Sequence, residues 1–181
     1  PDWKRADGWA YDGSDPWEDP DGHGTMCAVI ASGSPENEAR LCGVAPHSRL
    51  YSCKVRRRVS DVLDAYEWIE DRAEEHGRPS VVSNSFGCRG AKPPSADVSD
   101  HPLDHPMSRG IRRMVGSGIP MVFAAGNAHD KSAAFDCSPS SIWAWNSLPE
   151  VMTVAELDDS EQVRAYSSRG PGQWSTSGCP K

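Results

Sequence analysis

The chain has 181 residues, enough for one domain with a sizeable core. Its formal net charge of −7 and pI near 5.3 give no support to nucleic-acid binding, which expects a basic face. No stretch reaches the roughly 18–20 apolar residues of a membrane span, so none is expected.

Residues 1–22 are rich in Asp, Gly, Pro and Trp, follow neither helical nor strand period, and read as an irregular surface segment. The pattern changes at His23, which stands at a helix start; Ala28, Val29 and Ile30 begin a short helix punctuated by Gly33, and residues 34–40 read as a loop. "RLYSCKV", residues 49–55, alternates Leu50, Ser52 and Lys54 with Tyr51, Cys53 and Val55, as a strand does. The basic run at 54–58 reads as a solvated turn. Ser60 is placed to cap a helix whose Val62, Tyr66, Ile69 and Ala73 form one buried face, with Gly77 and Pro79 ending it.

"SVVSNSF", residues 80–86, predicts a second strand, and a Pro- and Asp-rich insert follows to residue 106. Within it "DHPLDHP" reads as a loop leading to a helix cap, not as a set of metal ligands. A short helix is expected at 108–118, then "IPMVFAA" as a strand too apolar for a wet face, a polar loop, and a fourth strand at 150–157. Strands alternating with helices predict an α/β fold: three layers, with a mostly parallel central sheet flanked by helices. The six cysteines include no C-x-x-C pair, which argues against a zinc ribbon or a redox centre; Cys27 and Cys53, in apolar segments, read as small buried hydrophobes.

In such a fold, catalytic groups gather at the carboxyl ends of the strands. "SFG" (Ser85, Phe86 and Gly87) and "AAGN" (Ala124, Ala125, Gly126 and Asn127) occupy two such ends. A histidine at a helix N-terminus feels the positive end of the dipole, which disfavours imidazolium and suits a general base. Asn127, after a glycine at a strand tip, can donate to an oxygen developing negative charge. Base plus oxyanion donor is the skeleton of acyl transfer.

Five motifs in order carry a family resemblance, over about residues 8–181: "DGHGTMCAVIASG", "GVAPHSRLYSCKV", "VVSNSFG", "MVFAAGN" and "LPEVMTVAELDDSEQVRAYSSRGPG". Together they resemble the subtilisin-like serine proteases. The resemblance implies that His23 is the general base and Asn127 the side-chain oxyanion donor of a serine endopeptidase. It implies that Ser85, Phe86 and Gly87 pair with the backbone of a polypeptide substrate, and that Ala124, Ala125 and Gly126 wall the pocket before the scissile bond. It requires no cofactor for the chemistry, leaves room for structural calcium near Glu36, Asn37 and Glu38, and leans towards a secreted protein. Cys27 resembles the thiol that lies beneath the histidine in the proteinase-K-like branch, and Met26 replaces a second, non-catalytic histidine of the family motif. Arg56, Arg57 and Arg58 stand where the family commonly has a longer loop flanking the substrate.

The triad's other members are not evident. Asp7 and Asp12 precede glycines but follow no apolar run. Ser177 lacks the preceding glycine and following helix that a nucleophile motif demands. The expectation is a central portion of one peptidase domain, truncated at both ends and inactive alone, with a complementary segment or chain supplying the Asp and Ser. Competing readings are a non-catalytic pseudo-protease or peptide-binding domain, and, with a poor fit, a cysteine hydrolase using Cys27, which would point into the helix packing.

Overall fold

In a computed structural model of the chain, residues 18–34, 42–55, 58–76, 81–87, 105–127, 142 and 144–170 are described. The chain divides into two compact units, Pro1–Lys54 and Val55–Lys181.

In the first unit, the described residues contain one helix, α1 (His23–Ser32). It begins at His23 itself, five residues before the apolar run at Ala28. The reason lies upstream: the Thr25 amide donates to Asp19 Oδ2 at 2.6 Å and the His23 amide to Asp21 Oδ1 at 2.9 Å. Two carboxylates thus occupy donors that a helix start leaves orphaned. At the other end the chain turns back, and the amides of Val44 and Ala45 donate to the carbonyls of Ile30 and Ala31 at 2.9 and 2.8 Å. This return requires Gly43, because a Cβ there would lie 2.5–2.6 Å from Gly33 N, Ser32 N and Val29 O, all backbone. The strand expected at 49–55 is not formed; these residues are irregular, with Leu50 and Tyr51 exposed.

The second unit is built on a three-stranded parallel sheet in the order β1 (Val82–Asn84), β2 (Met121–Ala124), β3 (Met152–Val154). Two helices pack with it: α2 (Val59–His76) and α3 (Pro106–Gly116). Met107, Ile111 and Met114 of α3, at spacings of four and three, are fully buried. In α2 the expected face forms: Val62 and Tyr66 are buried, and Ile69 and Ala73 pack on the same core. Met121 and Phe123 fill it from β2, and each such side chain contributes about 1.5–3 kcal/mol by leaving water.

Several boundaries differ from expectation for identifiable reasons. Ser60 lies inside the first turn of α2, where its hydroxyl donates to Asp61 instead of capping. Helix α3 starts two residues early, because His105 caps it by accepting from Met107 N at 3.1 Å and Pro106 has no amide to satisfy. The segment read as a polar loop before β3 includes a 3-10 turn, Ala144–Ser147, with Trp145, Asn146 and Leu148 buried. Strand β2 is only half-covered on its second face, at Val122 and Ala124. No helix among the described residues is long and apolar enough to cross a membrane.

Candidate active site

His23 is the first residue of α1 and is exposed. The dipole expected to act on it is answered locally by Asp19 and Asp21, whose carboxylates sit at the same helix end. The hydrogen bonds from Thr25 hold the Asp19 carboxyl below its ordinary value of 3.8, so it stays ionised there. One turn on, Cys27 is half-buried with Sγ 3.9 Å from His23 Nε2, facing the imidazole instead of turning away into packing. Cys27, Cys42 and Cys53 are free thiols, and burial pushes the Cys53 thiol up to about 11.

The remaining candidates lie in the second unit, where two of the three strands deliver them. The β1–β2 ladder pairs Val82, Ser83 and Asn84 with Met121, Val122 and Phe123. Because the strands are parallel, their carboxyl ends emerge together, and residues 85–87 leave beside residues 124–127. Ser85 is exposed, while Phe86 is half-buried and packs edge-on to Phe123 at 6.4 Å. β1 is an edge strand of the described sheet, a position at which an extended peptide can add. Below it, Tyr66 donates its hydroxyl to Asn84 Oδ1 at 2.9 Å, and Asn84 Nδ2 donates to Val122 O at 3.1 Å, tying α2, β1 and β2 under the site.

The wall at 124–126 is fixed at every residue. Asn146 Nδ2 donates to Ala124 O at 2.8 Å, Ala125 N to Val154 O at 2.8 Å, and Ser168 N to Gly126 O at 2.8 Å. Gly126 has φ 105°, a backbone shape that glycine adopts without strain, and it directs the chain to Asn127, which is exposed. Asn146, Thr153 and Ser168 were not among the residues singled out from the sequence. Thr153 and Ser168 carried a signal only as members of the motif at 148–172, and Asn146 carried none.

Among the described residues no cluster of three or more His, Cys, Asp or Glu could hold a metal ion. Asp7, Asp12, Glu36, Asn37, Glu38, Arg56, Arg57 and Ser177 lie outside the described residues, as do residues 100–104 of the Asp- and His-containing insert.

The sequence profile of the subtilase family, Peptidase S8, matches residues 2–178. The chain is 31% identical over 162 residues to the subtilisin-like protease PopC of Myxococcus xanthus, covering 84% of this chain and 31% of that protein. It is 28% identical over 171 residues to the serine protease AprX of Bacillus subtilis, covering 87% and 36%. Its fold is similar to that of sphericase, with a TM-score of 0.61 at 24% identity over 78% of this chain and 43% of the other. It is likewise similar to that of the S41 psychrophilic protease, with a TM-score of 0.62 at 22% identity over 81% and 45%. The chain thus spans about a third of the length of these two relatives and under half of each solved structure. With a profile match over nearly its whole length, it belongs to the subtilase family of subtilisin-like serine peptidases.

Proposed function

We propose that these residues supply the general base, the oxyanion donor and the substrate-binding walls of a serine endopeptidase acting on polypeptides. Its orienting aspartate and nucleophilic serine come from a complementary segment or chain, and residues 1–181 alone are inactive. The observation that carries this reading is the parallel β1–β2 pairing, whose carboxyl ends emerge together with Ser85, Phe86 and Gly87 on one side and Ala124, Ala125, Gly126 and Asn127 on the other. In the intact protein His23 takes the serine proton as the hydroxyl attacks the scissile carbonyl, then passes it to the leaving amine. Asn127 and a backbone N–H hold the tetrahedral oxyanion. The chemistry requires no cofactor; calcium, if bound, has a structural role.

The test uses the intact protein and a fluorophosphonate serine probe alongside cleavage of an unstructured polypeptide. Labelling with cleavage is expected, and His23→Ala should abolish both. Asn127→Leu should lower kcat by about 10²–10³, a figure that comes from subtilisin itself. A folded intact protein that neither labels nor cleaves overturns the reading and leaves a peptide-binding domain without a triad.

A further inference from the structure

One fully buried polar side chain touches both walls of the candidate cleft. Asn146, in the 3-10 turn before β3, directs both hydrogens of its amide nitrogen at carbonyls: Phe86 O at 3.0 Å and Ala124 O at 2.8 Å. Those carbonyls belong to the two segments assigned to the substrate, at the place where the β1–β2 ladder has ended. Beyond Asn84 and Phe123 no β1–β2 ladder bond sets the spacing of the two chains, and the Asn146 amide takes over that task. The turn is itself held from β3, where the Thr153 hydroxyl donates to the Asn146 carbonyl.

The orientation of the amide is unambiguous, since a flipped Asn146 would set its oxygen against two carbonyl oxygens. Among the described residues Oδ1 is buried and has no donor, so the two bonds from the amide nitrogen alone set the orientation.

We infer that Asn146 is a positioning residue for specificity, a clamp that sets the width between the substrate-pairing segment at Phe86 and the pocket wall at Ala124. The assignment rests on the proposed protease reading. Asn146 touches no substrate; it acts through the two carbonyls it holds.

The decisive variant is Asn146→Asp in the intact protein, which keeps the shape and replaces the donor by an acceptor. Thr153→Val, which removes only the anchor of the turn, is the milder companion should Asn146→Asp fail to fold. Three readouts are compared: fluorophosphonate labelling rate, kcat and KM on extended peptides, and the ratio of kcat/KM between peptides differing only in the residue before the scissile bond. Asn146→Asp should raise KM about tenfold and flatten that ratio by a similar factor, with labelling changed less than about threefold. Thr153→Val should move KM and the ratio the same way by about two- to threefold. A merely structural role would lower the active fraction, and so labelling amplitude and kcat together, with KM and the ratio unchanged. That result in a folded variant overturns the clamp while leaving the protease reading intact. A wild-type protein that does not label or cleave removes both.

Discussion

Replacing Gly43 by alanine should loosen the helix that carries the candidate base, and the cost can be worked from the structure. The new Cβ would lie 2.5 Å from Gly33 N and 2.6 Å from both Ser32 N and Val29 O. Ordinary contact begins near 3.4 Å, so the returning segment must retreat by about 0.9 Å. None of the three atoms can rotate away. That retreat stretches the Gly43–Gly33, Val44–Ile30 and Ala45–Ala31 hydrogen bonds from 2.9, 2.9 and 2.8 Å to roughly 3.7–3.8 Å, past useful length. Three lost bonds at about 0.5–1.5 kcal/mol each give about 2–4 kcal/mol. Gly110→Ala is the control. Its Cβ would strike Leu63 Cδ2 at 2.3 Å, but that is one movable methyl, and a mid-helix Gly→Ala change gains about 1 kcal/mol. Native-state hydrogen exchange should show the Val44 and Ala45 amides opening at least about 30-fold more often in Gly43→Ala and hardly changed in Gly110→Ala. Unchanged exchange at Val44 and Ala45, or a larger loss in Gly110→Ala, would refute the close-approach reasoning.

Tyr66→Phe should cost about 1–3 kcal/mol by leaving Asn84 Oδ1 buried without its donor, lowering the urea midpoint at constant m. Because burial raises the Cys53 thiol to about 11, timed alkylation at pH 8 read by peptide mass spectrometry should find Cys53 lagging well behind exposed Cys42; equal rates would contradict the burial. Asp19 has a folded pKa below its unfolded one, so its support of α1 is present above the unfolded value and lost as pH falls through the folded value. The Thr25 amide resonance should therefore titrate with a midpoint below 3.8, and a midpoint at or above it would count against the cap.

The elements legible in the sequence were those whose own residues carry the pattern. Val62, Tyr66, Ile69 and Ala73 announce one face of α2, which stands in the structure, and the apolar run around Phe123 announces a strand that forms with Met121 and Phe123 buried and its other face half-covered. Residues 49–55 alternate just as convincingly, yet a strand exists only through a neighbour that completes its ladder, and no local alternation reports one. The start of α1 at His23 was legible, but its cause was not carried by the apolar run at Ala28: the helix begins where Asp19 and Asp21 can receive its free amides.

The candidate site divides in the same uneven way. Its motifs are short and contiguous, so His23, residues 85–87 and residues 124–127 could be nominated from sequence as candidates. Their supports come from far along the chain: Asn146 stands 60 residues beyond Phe86, and nothing in "WAWNSLP" distinguishes its asparagine from a surface one. Two of the motifs that carry the family resemblance hold backbone in place. "GVAP" lends the Val44 and Ala45 amides to the carbonyl end of α1, whose other end presents His23. "SSRGP" lends the Ser168 amide to Gly126, the residue before Asn127. Each ties down the segment that displays a candidate catalytic group without touching that group, through backbone atoms that any side chain could have carried. What restricts these positions is close approach, as at Gly43, and burial, as at Ser168, so a motif without reactive side chains can still be set by the chemistry it holds in place.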